Sequence, residues 1–136
     1  MKISAKAEYA CLSVIELARS QAEGRPRRVR EIAEAQGIPE RYLVQILLLL
    51  KAAGLVQSTR GAVGGYALTR PAAEITVADV VAVIDGPGDP PRRAVSPAGR
   101  DLGDLLARAR DAGQGVLAEA RIAEMAGPDP LADYVL

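Results

Sequence analysis

Two clusters of side chains in the first half of this 136-residue chain are suited to bonding nucleobases and phosphates. Arg41, Tyr42 and Gln45 fall within two turns of a stretch with helical spacing. An arginine can form a paired hydrogen bond to guanine, a glutamine to adenine, and arginine also reaches phosphate. The ribbon Arg60-Gly61-Ala62-Val63-Gly64-Gly65-Tyr66 follows. Gly61, Gly64 and Gly65 permit tight turns and close backbone approach, so that Arg60 can be delivered into a narrow, electronegative minor groove. Lys6, Arg28 and Lys51 add positive charge around these clusters, where phosphate is the natural partner. Other chemistries find little support. With no histidine and one cysteine, the chain lacks histidine acid–base catalysis and the usual His/Cys zinc sites. The ribbon lacks the Gly-Lys-Ser/Thr of a phosphate-binding loop. The carboxylates of the second half form no paired constellation, which argues against an enzyme.

The elements that must position these residues can be read from periodicity. A first helix starts near Ser4 as N-cap, with Ala7, Ala10, Cys11, Val14, Leu17 and Ala18 facing inward; Cys11 reads as a small core residue. Gly24-Arg25-Pro26 breaks it, and Arg25, Arg27, Arg28 and Arg30 crowd into a candidate phosphate-facing patch. The second helix is expected from about Val29 to Gln36, burying Val29, Ile32 and Ala33, with Gly37 ending it and Ile38 plugging the turn. Pro39 suits the first position of a third helix running to about Ala53, where Gly54 stops it. Leu43, Ile46, Leu47 and Leu50 form its core face; Leu48 and Leu49 extend the apolar surface, as a contact with a second subunit would need. Leu55 to Ser58 and Tyr66 to Thr69 alternate as two short strands around the glycine-rich turn. The spacing predicts a mainly α fold with a small β-hairpin wing, a winged helix-turn-helix whose third helix and wing would contact double-stranded DNA.

Thr76 and Asp79 form a cap for a fourth helix with Val77, Val80, Val81 and Ile84 inward, and Gly86 closes the domain at 1–86. A proline-rich loop, 87–100, precedes a helix and closing segment at 101–126. Asp101 is the expected cap there, and Leu102, Leu105, Leu106, Ala109, Ala112, Gly113, Val116 and Leu117 form a stripe that a lone helix cannot bury. A homodimer through this stripe is the expectation, with a bend at Gly113 and Gly115. Residues 127–136 form a tail. Residues 1–70 carry a net charge of +5 and residues 71–136 a net −5, so the first half faces phosphate and the second keeps the chain soluble or meets protein. No apolar run is long enough to cross a bilayer and no secretion signal is evident, which places the protein in the cytoplasm.

The wording of Ile32-Ala33-Glu34, Gly37-Ile38-Pro39, Tyr42-Leu43, Ala53-Gly54-Leu55-Val56 and the Arg60 to Tyr66 ribbon resembles the Rrf2 family of bacterial transcription regulators. The likeness continues through Glu74 to Val80 and Ile84-Asp85-Gly86. It implies a dimeric DNA-binding repressor or activator, with the third helix in the major groove and Arg60 in the minor groove. Many members hold an iron-sulfur cluster through three cysteines in the loop before the dimerisation helix. An approximate alignment puts those positions near Gly88, Ala94 and Arg100, so no cofactor is expected and control would fall to a small molecule, a protein effector or no signal. Val44 stands where cluster-binding members often use glutamate toward the bases, and it offers only apolar contact, for instance to a thymine methyl. Arg28 occupies the N-cap place of the second helix, where serine or threonine would accept a backbone hydrogen bond. Either Arg121 to Met125 or Pro130 to Tyr134 matches the family's closing segment. The competing reading is a protein-interaction module on the same scaffold that has lost specific DNA binding.

Overall fold

A computed structural model describes residues 2–127. Helix α1 spans Ala5–Gln21, and Ser4 caps it by accepting from the Ala7 N–H at 3.0 Å. Ser4 also donates from its backbone N–H and its hydroxyl to Asp85 at the far end of α4, 3.0 and 2.5 Å, pinning the first helix to the fourth. Ala7, Ala10, Val14 and Leu17 are buried, whereas Cys11 and Ala18 sit half-buried at the margin of the core.

Helix α2, Val29–Gln36, ends on Gly37 in the left-handed conformation at φ 65°, which a side chain would disfavour. Ile32, Ala33 and Ile38 go into the core, while Val29 is only half-buried. Helix α3 spans Glu40–Ala52 and buries Leu43, Ile46, Leu47 and Leu50. Pro39 is its N-cap rather than its first residue, a one-residue difference that costs nothing because proline has no N–H to orphan. Strands β1, Val56–Thr59, and β2, Gly65–Leu68, pair antiparallel in the register Val56 with Leu68 through Thr59 with Gly65. Each lies one residue from its sequence-based position. A single 3-10 turn, Ala72–Glu74, leads to α4, Val77–Asp85, whose capping box joins Thr76 and Asp79 in both directions at 3.0 and 3.1 Å.

The long helix α5 spans Pro97–Glu119 and is capped by Ser96, whose hydroxyl accepts from the Gly99 N–H at 3.0 Å. This corrects the expectation of Asp101 as the cap. Ser96-Pro97 combines an N-cap acceptor with the residue best suited to the first helical position, and together they start the helix five residues earlier. The helix also passes Gly113 and Gly115 without interruption. The chain then returns to its own domain. Helix α6, Ile122–Ala126, places Ile122 in the core with no exposure. The Val77 N–H donates to the Ala120 carbonyl at 2.8 Å, and the Ile122 N–H to the Ile75 carbonyl at 2.9 Å. Arg121 to Met125 therefore closes the fold, while the rival segment Pro130 to Tyr134 lies outside the described residues.

Candidate nucleic-acid interface

The core of α1, α2, α3 and α4 turns one face of α3 outward. Arg41, Tyr42, Val44, Gln45, Leu48, Leu49 and Lys51 are exposed on it. The Arg41 guanidinium lies 5.8 Å from the centre of the Tyr42 ring, so the cation rests on an aromatic face at the start of the helix. Gln45 follows one turn after Arg41. Lys51, toward the other end, donates from Nζ to the Ser58 hydroxyl of β1 at 2.7 Å and ties α3 to the wing.

The wing is held on its other side by a contact that sequence reasoning missed. Arg27 lies in extended backbone between α1 and α2 and pairs with Tyr66: Arg27 N–H donates to the Tyr66 carbonyl at 2.8 Å, and Tyr66 N–H to the Arg27 carbonyl at 2.7 Å. Gly65 is what lets the two backbones meet, since a Cβ there would stand 2.5 Å from the Arg27 carbonyl oxygen, and its φ of 147° already disfavours a side chain. Gly64 is buried beneath the turn, and a Cβ there would collide with the Thr59 carbonyl. The Arg28 guanidinium donates to the Ala62 carbonyl in the wing turn, so this cation braces the ribbon. Arg28 supplies no acceptor for the start of α2; instead its N–H donates to Glu31 Oε1 at 3.1 Å, half of a capping box. Arg60 and Gly61 occupy the exposed wing turn, and Arg60 makes no ion pair among the described residues. Lys6 is exposed on the first turn and a half of α1.

Beneath the arginine-rich segment sits a buried carboxylate. Glu16 of α1 is 4% exposed, 3.7 Å from both Arg19 and Arg27, and accepts a hydrogen bond from Gln36 Nε2 at 3.2 Å. Arg27 Nε also lies 3.3 Å from Glu31 Oε2, an ion pair without hydrogen-bond geometry. Of the expected phosphate patch, Arg27 is thus turned inward to fasten α1, α2 and the wing, Arg25 and Arg30 pair with Glu23 and Glu34, and Arg28 holds the wing turn. Arg27 stood in a cluster of like charges, where nothing local separates the one that points inward.

The thiol of Cys11 is pushed up to about 11 by burial, with Glu8 and Asp85 adding to the effect. It is a protonated, weakly nucleophilic group. Along α5 no residue is buried: Leu102, Leu105, Leu106 and Val116 are 47 to 67% exposed, and Ala109 and Ala112 are exposed with them. Gly113 and Leu117 differ in being half-buried, and Leu117 packs against the core of its own domain, apart from the outward stripe. No helix among the described residues is long and apolar enough to cross a membrane.

A recognition helix exposed beside a glycine-built hairpin defines the molecule as a winged helix-turn-helix protein. The profile of the Rrf2 family, described as an iron-dependent transcriptional regulator, matches residues 3–128. The chain belongs to this family of bacterial transcription regulators, which are not enzymes. It is 41% identical to a candidate helix-turn-helix regulator of Mycobacterium tuberculosis, Rv1287, over 93% of this chain and 82% of that protein. It is 39% identical to the regulator CymR of Bacillus subtilis, over 93% of this chain and 90% of that one. The solved structure of B. subtilis CymR, the global cysteine regulator of that organism, superposes with a TM-score of 0.81 at 38% identity, covering 93% of this chain and 96% of CymR. IscR of T. potens gives 0.77 at 30% identity, covering 98% and 88%.

Iron is where this chain parts from the family's description. Iron-sulfur clusters are held by several cysteine thiolates, and this sequence has one cysteine, half-buried on α1 and not in the loop before α5, and no histidine. Among the described residues no group of three or more His, Cys, Asp or Glu is placed to hold a metal ion. The residues present do not fit the cluster.

Proposed function

We propose that the protein acts as a homodimeric, sequence-specific repressor on a near-palindromic operator, without an iron-sulfur cluster. In this reading α3 enters the major groove with Arg41 and Gln45 toward the base edges and Tyr42 at the backbone. The wing carries Arg60 into the flanking minor groove, with Gly61, Gly64 and Gly65 giving the ribbon its close approach. Lys6, Arg28 and Lys51 lie near phosphate; the last two, each already bonded to the wing, retain further N–H donors for it. The observation that carries the reading is the Lys51–Ser58 bond at 2.7 Å, because it fastens the reading helix to the wing and so presents two grooves' worth of contacts as one unit. Leu102, Leu105, Leu106, Ala109, Ala112 and Val116 form the subunit contact, joined at its edge by Gly113, with Leu117 beneath them on the chain's own core. The protein works where the chromosome lies, in the cytoplasm.

The exposed Leu48 and Leu49 favour the second reading, a protein-interaction module. Selection of bound duplexes from genomic fragments, followed by titration at several salt concentrations, separates the two. A DNA reader prefers particular fragments over random ones and loses affinity steeply with salt. Arg60→Ala should then weaken operator binding by about 1 to 3 kcal/mol and relax specificity at the flanking positions. A chain that binds no fragment better than random DNA at low ionic strength would remove the proposal.

A further inference from the structure

The outward face of α3 sets aliphatic side chains among its polar ones. At about 3.6 residues per turn, Arg41, Gln45 and Leu48 stand on one line facing solvent, with Val44 beside them on the Lys51 side. Val44 falls between the polar pair, and Leu48 follows about one turn beyond Gln45. Val44 and Leu48 are 42% and 54% exposed, on the side opposite the buried leucines, so packing within the chain does not account for them. Neither can donate or accept a hydrogen bond. Whatever covers them is apolar, and it lies beside the groups that Gln45 and Arg41 reach. The major-groove edge of a duplex offers one such group, the C5-methyl of thymine. Continuity with the polar contacts also favours this occupant, since a separate protein would have to share the stripe with the DNA.

Resting on the DNA-reading assignment above, we propose that Val44 and Leu48 form an apolar contact for thymine C5-methyl groups, so that each half-site carries thymines next to the base that Gln45 reads. Leu49 faces the Tyr42 side and is not part of this contact. A duplex is selected from a random-sequence library with the full chain. It is then synthesised with each half-site thymine replaced in turn by deoxyuridine, which removes the methyl group and nothing else. Binding should weaken about fourfold at each contacted thymine. Val44→Ala and Leu48→Ala, at exposed helical positions where alanine preserves the helix, should bind the thymine and deoxyuridine duplexes alike. Leu49→Ala should keep the difference. If the parent chain binds both forms equally while still preferring its selected duplex over random DNA, the methyl contact is overturned and DNA reading stands. If it shows no preference over random DNA, the DNA reading itself falls. A change of oligomeric state in Val44→Ala or Leu48→Ala, with no thymine discrimination in the parent, assigns the face to a protein and overturns the proposal.

Discussion

Replacing Gly65 by alanine is the sharpest test of how the wing is held. The new Cβ would lie 2.5 Å from the Arg27 carbonyl oxygen and 2.6 Å from its carbon, backbone atoms that cannot rotate away as a side chain would. The Arg27 segment must therefore separate from β2, which opens both hydrogen bonds of the Arg27–Tyr66 bridge. Each contributes about 1 kcal/mol net, and holding alanine at φ 147° costs about 1 to 2 kcal/mol more. A loss of about 3 kcal/mol is expected in urea unfolding, read as a lower midpoint at an unchanged slope. Gly61→Ala is the control: its φ is 108°, yet nothing lies within 4 Å of the added carbon, so only the conformational cost of about 1 to 2 kcal/mol remains. Operator binding by the Gly65 variant should fall along with stability, because the ribbon that bears Arg60 is no longer fixed to the start of α2. Equal unfolding midpoints for the two alanine variants would refute the close-approach argument. Normal stability with lost binding would show instead that Gly65 contacts the DNA directly.

Three further outcomes are expected. Glu16→Ala leaves Arg27 largely buried without its inner carboxylate and should destabilise the fold by about 3 kcal/mol; an unfolding midpoint like that of the parent would show that the network contributes little. Cys11, its thiol raised to about 11 by burial, should alkylate slowly with iodoacetamide at pH 8 and quickly once urea unfolds the chain. Because the folded state holds that proton more tightly than the unfolded one, the thiol's contribution to stability is complete below pH 9 and is lost as pH rises through about 11; a Cys11→Ala variant should lack this component of the alkaline loss of stability. Leu105→Asp and Leu106→Asp, on the exposed stripe of α5, should yield monomers in sedimentation while melting near the parent temperature, and a dimer that survives both changes would relocate the subunit contact.

The helices and the wing were legible because their signals are local: Ser4, Gly37, Thr76 with Asp79, and the ribbon glycines each mark a boundary by their own backbone chemistry. Asp101 misled because acidic residues do favour helix starts, although Ser96-Pro97, whose cap lies five positions earlier, is the stronger combination. Helix α5 runs through Gly113 and Gly115 because two glycines weaken a helix without breaking its hydrogen-bond ladder. What periodicity could not reveal was the inward turn of Arg27. Its partners, Glu16 and Tyr66, are distant in sequence, and a run of four arginines in six positions carries no local mark of which one is buried. The same holds for Arg28 and Lys51, which read as free cations and turn out to be bonded to the wing.

The return of the chain after α5 bears on how a dimer could set the spacing of its two reading helices. In the proposed homodimer each α5 is anchored to its own domain by Ile122, by the Val77–Ala120 and Ile122–Ile75 backbone bonds, and by Leu117 on the core margin. The stripe from Leu102 to Val116 is left facing outward between the start of the helix and this anchor. Subunit contact through that stripe would then move two complete domains as rigid bodies, with no core residue exchanged between them. Since α1 is fastened to α4 by Ser4 and Asp85, to α2 and the wing by Glu16 and Arg27, and to α6 by packing on Ile122, a shift of α5 in such a dimer would carry its whole domain, α3 included. Any signal that alters the angle between the two α5 helices would change the separation of the two α3 faces across successive turns of the duplex, and no metal cluster is needed for that coupling.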